Sequence, residues 1–459
     1  MMKLSTALRL TALPRLALVG AGGKSSAIFW LARELVGSGR TVLITTTTHL
    51  GAWQVTAGDS HLVLKNAGDL PQAADFPQGI VVLTGLAADA QRFAGLDSET
   101  LAALHAFANQ HRLPLLVEAD GARLLPIKAP AEHEPSIPGF VDSVVMCAGM
   151  QGVGKPLTGA WVHRPERFSR LCGLDQGEQV TPEALSRVLV HPEGGLKRIP
   201  PQARRILLLN QADTAEKQAQ AREIALQVAQ AYHSVVIANL PLLPIDSGLT
   251  QNPPSRLPEI HAVHEPVAGI ILAAGGASRY GSLKQLLEWQ GQPLVRQAAL
   301  TALQAGLSPL VVVTGAGAEL VAKAVAGLPV RQVYNATWQQ GQSTSLQAGL
   351  RVLPPTSGGA IFLLADQPNI TPGLLQALVE AHNQSLAPIV APLVDGQRGN
   401  PVLFDAVTFD ELAQLTGDAG GRQIFNRHRL LYVPWHDRSV LLDIDKPEDF
   451  TRLSGEGGD

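Results

Sequence analysis

The run LAAGGASRYGSLK, Leu272 to Lys284, sets a glycine turn, an arginine and a lysine directly after the apolar strand Val267 to Leu272. At Gly275, Gly276 and Gly281 no side chain stands between a phosphate and the backbone amides. Arg279 and Lys284 then supply the charge that phosphates require. A strand that ends this way belongs to an open α/β sheet, and the run reads as a clamp for a nucleoside triphosphate.

Outward from that clamp, short leucine-rich or β-branched runs alternate with alanine-rich stretches, the pattern of βαβ units and mostly parallel sheets. In the second half the expected strands are 268–273, 309–314, 330–334, 360–365, 388–393 and 430–434; in the first half they are 16–20, 41–45, 80–83, 115–118, 143–147, 206–210 and 234–238. Leu294, Val295, Ala298 and Leu303 share one face of a predicted helix that Gly306 can end. Between the halves, Pro241, Pro244, Pro253, Pro254, Pro258 and Pro266 crowd a stretch without periodicity, as in a linker. The fold class expected is therefore α/β, with two doubly wound, mostly parallel Rossmann-like domains: residues 1–245, a Pro-rich linker 246–266, and residues 267–459.

The composition agrees. The chain has 459 residues, enough for two to three domains, and 46% of them are hydrophobic, with 44 Gly and 32 Pro to build turns. A net charge of −3 argues against a general nucleic-acid or membrane-surface binder. Cys147 and Cys172 are too few for a disulfide framework, which fits a reducing, cytoplasmic setting. The N-terminal Lys3, Arg9 and Arg15 faintly resemble a secretory leader, but Pro14 and Arg15 interrupt it, and we read the segment as leading into a first strand. No apolar run approaches the roughly 20 residues of a membrane span.

Nucleotidyl transfer needs a triphosphate cradle, a cation to neutralise the departing pyrophosphate, and carboxylates to hold that cation. Asp366 closes the run Ala360 to Ala365, where an open sheet presents its ligands. Asp443 and Asp445 follow in the apolar run from Val440, and one of them could complete a Mg²⁺ site. Either aspartate alone could equally be a helix N-cap or a turn residue. Their joint occurrence downstream of a basic glycine loop favours the metal.

The run at 272–284, with ADQP at 365–368 and DIDKPED at 443–449, resembles the MobA-like nucleotidyltransferases, and within them the MocA-type molybdenum cofactor cytidylyltransferases. The likeness spans about 269–453 and includes NATWQQGQSTSLQAG at 335–349 and GNPVLF at 399–404. It implies that Ala273, Gly275, Gly276, Ser278, Arg279, Gly281 and Lys284 bind the triphosphate of CTP, with Arg279, Lys284 and Asp366 catalytic. It further implies Mg²⁺ on Asp366 and Asp445, and Ser345 near the base or ribose. Molybdopterin would be the acceptor. Ala274 resembles the cytidylyl-transferring branch, and Asn400 stands where related sequences often carry His. Trp338 reads either as core packing or as a stacking platform.

A second glycine loop lies in RLALVGAGGKSS, residues 15–26, which makes the first domain P-loop-like. Gly20, Gly22 and Gly23 precede Lys24 and Ser25 at the start of an expected helix, so that amides, Lys24 and the Ser25 hydroxyl could face phosphate and Mg²⁺. The usual spacing would put glycine where this chain has Leu18. Glu118 and Asp120 end another strand, and Asn210 with Asp213 (NQAD) resembles a purine-recognition element, although Asp213 alone could be an N-cap. EADGARLLPIKAPAEHEP at 118–135, TTTTHL at 45–50 and HRPE at 163–166 resemble the YqeC-like accessory proteins of selenium-dependent molybdenum hydroxylases. That likeness implies a nucleotide near Lys24, Ser25, Thr47, Asp120, Arg123, Lys128 and His133, and an apo molybdenum hydroxylase as partner. His133 and Glu134 read as a hydrogen-bonded pair, a metal site or a polar turn. The expected function is CMP transfer to molybdopterin beside an NTP-binding maturation domain. The alternatives are a cofactor carrier and a sugar- or alditol-phosphate nucleotidyltransferase.

Overall fold

A computed structural model describes residues 2–72, 75–242, 257–276, 283–418, 420–444 and 449. The chain forms two compact units, Met1–His264 and Glu265–Asp459. Ser278, Arg279, Gly281 and Asp445 lie outside the described residues.

The first unit is built on a nine-stranded sheet. Its spatial order is Glu259–His264, Ser234–Asn239, Arg204–Asn210, Ser143–Gly149, Arg15–Gly20, Leu115–Glu118, Val42–Thr46, Ile80–Thr84 and Ser60–Val63. All neighbours run parallel except the first two, which are antiparallel. Central strands buried on both faces explain why Arg15–Gly20 and Val42–Thr46 read as unbroken apolar runs. Helices cover the faces, and their starts follow from local chemistry: Asp97 accepts from the Thr100 amide to cap Ser98–Gln110, and Thr181 caps Pro182–Val190 with proline in its first turn.

Part of the stretch read as linker belongs to this sheet. Glu259–His264 pairs along Ser234–Asn239, burying Ala262 and Val263, so the first unit runs to His264. Two short parallel strands, Ile127–Lys128 and Val162–His163, also escaped the reading, being too short to show periodicity.

The second unit has an eight-stranded sheet. Arg331–Tyr334, Leu310–Thr314, Val267–Ala273 and Gly359–Leu364 lie side by side and parallel. Val402–Asp405 then inserts antiparallel between Gly359–Leu364 and Ile389–Val394, and Leu430–Pro434 runs parallel to the latter. The GNPVLF segment is therefore largely a buried strand. Leu294–Gln304 is helical as expected and buries Leu294, Val295, Ala299 and Ala302, with Gly306 at φ +81° beyond it. Among the described residues no helix is long and apolar enough to cross a membrane.

In both sheets the strand that carries the glycine loop sits where the winding reverses. Arg15–Gly20 lies between Leu115–Glu118 and Ser143–Gly149, and Val267–Ala273 lies between Leu310–Thr314 and Gly359–Leu364. The crevice at the carboxyl ends of such strands is where open α/β sheets bind ligands.

Candidate functional site

In the second unit a cleft of about 460 Å³ opens at that reversal, lined by Ala273, Ala274, Gly275, Gly276, Lys284, Ser345 and Asp366 together with Gln285, Trp338, Gln342 and Asp418. The short 3₁₀ turn Lys284–Leu286 returns the chain to the loop, and it is anchored by a residue the sequence reading missed. Gln285 is buried and its Nε2 donates to the carbonyls of Ala273 (3.3 Å) and Gly275 (3.1 Å). That stitch sets Lys284 in the cleft, with Asp366 half-buried in the same lining.

The two glycines described here differ in purpose. A Cβ on Gly275 would meet open space, so its bare backbone leaves room for a ligand. A Cβ on Gly276 would lie 2.8 Å from the Trp338 ring, and one on Gly315 2.7 Å from both Trp338 and the Ala274 carbonyl. Tryptophan packing thus already requires glycine at 276, which also lines the cleft. Trp338 packs against the core cluster and also lines the cleft.

Ser345 is buried on the helix Gln342–Leu350, where its Oγ accepts from Asn335 Nδ2 at 3.0 Å. Asp366 receives the Ile444 amide on its carbonyl at 3.2 Å, and Gln367 Nε2 donates to the Asp443 carboxylate. The chain just before Asp445 is in this way tied beside Asp366. One or two carboxylates plus phosphate oxygens are what Mg²⁺ ordinarily takes, so Asp366 in an open, Gly275-lined cleft fits that ion. Among the described residues no three His, Cys, Asp or Glu side chains gather as a metal site.

A neighbouring cleft of about 600 Å³ shares Leu272, Gln342, Leu364 and Asp418 with the first and is lined further by Phe362, Arg398, Asn400, Phe404, Arg422 and Phe425. The sequence singled out Asn400 only as a departure from related sequences and had no signal for Arg398 or Arg422.

In the first unit the glycine loop is bound inward. The amides of Gly20, Ala21 and Gly22 donate to Asp120 Oδ2 (2.9 Å), the Cys147 carbonyl (2.9 Å) and the Leu125 carbonyl (3.1 Å). Lys24, 5% exposed, donates to the Gly20 carbonyl at 2.7 Å and pairs with Asp120 at 3.2 Å and Glu118 at 3.9 Å. Burial alone would lower the Lys24 pKa, but Asp120 and Glu118 outweigh it and hold it above its ordinary value. Burial also raises the Glu118 pKa from its ordinary value against the pull of Lys24, and pushes the Cys147 thiol up to about 12. Ser25 Oγ accepts from Gln54 Nε2 at 2.7 Å, and the same amide reaches Glu118 at 3.0 Å.

Asp120 continues into a wider network. Lys128, 1% exposed, donates to Asp120 (2.8 Å), Glu134 (2.8 Å) and the Gly121 carbonyl (2.6 Å), while Arg164 grips both Glu134 oxygens at 2.8 and 3.0 Å. The paired strands Ile127–Lys128 and Val162–His163 bring these distant motifs together. Burial would raise the Glu134 pKa, yet the bonds from Arg164 and Lys128 hold it at about 2. Burial together with Arg164 and Lys128 lowers His163 to about 4. Glu134, rather than the exposed His133, is the anchor of the His133–Glu134 pair. Thr47 Oγ1 donates to the Ser136 carbonyl at 2.8 Å, and Arg123 is exposed with φ +49°.

Asn210 is buried, with Nδ2 on the Gly22 carbonyl (2.9 Å) and Oδ1 receiving the Leu240 amide (2.8 Å), and so stitches the loop to the sheet. Asp213 is exposed and pairs with Lys217 at 2.8 Å, one turn along a surface helix.

Two α/β units, each with a glycine loop and a carboxylate at neighbouring strand ends, define nucleotide-binding folds. The comparisons agree: a YqeC protein family model matches residues 16–166, and a MobA-like NTP transferase domain model matches residues 269–431. The chain belongs to the YqeC family through its first half and to the MobA-like NTP transferases through its second. The uncharacterised protein YqeC of Escherichia coli is 33% identical over 201 residues, 44% of this chain and 77% of the relative. The nicotine blue oxidoreductase of Paenarthrobacter nicotinovorans is 32% identical over 202 residues, 41% of this chain and 96% of the relative. The molybdenum cofactor cytidylyltransferase of Escherichia coli is 28% identical over 183 residues, 39% of this chain and 92% of the relative.

Proposed function

We propose that the second domain transfers CMP from CTP to molybdopterin, releasing pyrophosphate, and that the first domain is a nucleotide-binding partner in the maturation of molybdenum hydroxylases. The observation that carries this reading is the convergence of Lys284, Asp366 and the open backbone at Gly275 in one cleft, with a second cleft beside it for an acceptor. In the transfer, an oxygen of the acceptor's terminal phosphate attacks the α-phosphorus of CTP. A new P–O–P linkage forms as the α–β bond breaks, and pyrophosphate departs with its electron pair.

No side-chain nucleophile is required, so the protein's work is positioning and charge stabilisation. Lys284 holds the triphosphate and offsets charge gathering on the leaving group. Ser345, fixed by Asn335, faces the nucleoside end. Bound Mg²⁺, held by Asp366 with Asp445, would supply the neutralisation of the pyrophosphate oxygens. In the first domain, a nucleotide would meet Ser25 and the start of the helix Lys24–Val36, and would draw Lys24 away from Asp120.

The test is to incubate the full chain with molybdopterin and each labelled NTP and to identify the product. A cytosine dinucleotide with stoichiometric pyrophosphate is expected. A guanine dinucleotide would overturn the base choice, and pyrophosphate release only with a sugar phosphate would overturn the acceptor. Since one relative is named an oxidoreductase, a reaction with no pyrophosphate at all would overturn the transferase reading.

Gly315→Ala checks the nucleotide end separately. Its Cβ would push on Trp338 and on the Ala274 carbonyl, an overpacking cost of about 1–3 kcal/mol. Because Trp338 walls the cleft, the KM for CTP should rise by about tenfold with the KM for the acceptor little changed, as steady-state kinetics would show.

A further inference from the structure

The neighbouring cleft carries a charge arrangement that the transfer reaction alone does not explain. Arg398 lies with its guanidinium 4.7 Å from the centroid of the Phe425 ring, and its Nη1 is buried with no hydrogen-bond partner. Burial lowers the Arg398 pKa, and Arg422, which lines the same cleft, disfavours the charge on Arg398 further. Among the described residues neither arginine is matched by a carboxylate in an ion pair. Of the other groups here, Asp418 lines both clefts, its Oδ1 accepting the Gln342 amide at 3.2 Å rather than pairing with either arginine, and Tyr432 is the remaining titratable neighbour of Arg398.

Two guanidiniums in one cleft, neither held in an ion pair and one with a buried donor unspent, form a site that a ligand anion would complete. Phe362, Phe404 and Phe425 give the same cleft aromatic walls, with Phe362 edge-on to Phe404 at 5.6 Å and Phe404 6.0 Å from Phe425. A flat ring system suits such walls, whereas a phosphorylated sugar would leave them unused. Lys284 and Asp366 line the first cleft and not this one, so the phosphate that attacks CTP is not the anion these arginines await.

We infer that Arg398 and Arg422 form an anion subsite selecting an acceptor whose planar ring system carries a second negatively charged group, distinct from the phosphate that attacks CTP. The inference rests on reading this cleft as the acceptor's. Arg398, fixed by Phe425, would take the anion in a forked contact, and Arg422 at the mouth would draw it in.

The test uses the full chain and two intrinsically fluorescent probes, pterin-6-carboxylate and uncharged pterin, titrated at neutral pH. The carboxylate should bind tighter by about tenfold, the scale of a charge-assisted contact. That margin should vanish in Arg398→Gln and in Arg422→Gln, while the KM for CTP stays at its wild-type value. Arg422 is exposed, so its variant guards against a folding artefact at Arg398. Arg398→Lys, which keeps the charge but loses the planar fork, should recover only part of the margin. Equal affinity of the two pterins in the wild type, or binding of neither, would overturn the inference. Preference for the anionic pterin without pyrophosphate release from CTP and molybdopterin would refute the transfer reading and leave the subsite standing.

Discussion

Asp366→Ala should abolish measurable pyrophosphate release from CTP and molybdopterin, with a fall in kcat of about 10²–10³ or more, the scale seen when one charge-stabilising group is removed from a preorganised site. Asp366 stands at the carboxyl end of a central strand, half-buried in the cleft that holds Lys284, and its backbone is pinned by the Ile444 amide. The substitution takes away the carboxylate and leaves that backbone bond in place, and circular dichroism of the variant reports whether the fold is kept. Loss of turnover without loss of fold separates an enzyme from a carrier, because a carrier would keep supporting hydroxylase maturation with Asp366 gone. Retained pyrophosphate release in the variant, measured by a coupled phosphate assay, would remove Asp366 from the chemistry.

Lys128→Met should lower the unfolding free energy of the first domain by about 3–5 kcal/mol, since removing one member of a buried ionic group strands its partners. The lysine is 1% exposed and joins Asp120 to Glu134. Lys24 and Arg164 still serve those two carboxylates, which places the expected loss near the lower end of the range. Urea denaturation of the full chain gives the size of the effect, and hydrogen exchange of the Leu115–Glu118 amides locates it. Acid supplies an independent check. Because the Glu134 pKa is depressed in the fold, its stabilisation is complete above the ordinary value of 4.5 and is lost as pH falls from there toward about 2. Glu134→Gln should flatten that acid limb.

The strands that carry both sites were legible in the sequence because central parallel strands are apolar throughout, and glycine with lysine after such a strand is a local signal. What could not be read was the partner of each charge. Lys24 has the local setting of a phosphate-binding lysine, but its neighbours Glu118 and Asp120 come from a strand almost a hundred residues away that the sheet sets alongside. Asn210 was given a ligand's role for the same reason: its residue type suits a base, while its two hydrogen bonds depend on Gly22 and Leu240. Arg398 and Arg422 meet only because a buried strand, Val402–Asp405, and the turn after it return the chain to one cleft. Gln285 was visible as a letter beside Lys284, yet nothing local marks a glutamine that fastens two carbonyls. Glu259–His264 was hidden by the prolines around it.

That last strand has a practical bearing on how the two halves can be separated. A fragment cut at residue 245 would leave Ser234–Asn239, an apolar and buried strand, as a bare margin with a row of unpaired amides and carbonyls. Such margins recruit strands from other molecules. The first half cut there should self-associate in solution, whereas a fragment carried through His264 brings its own cover.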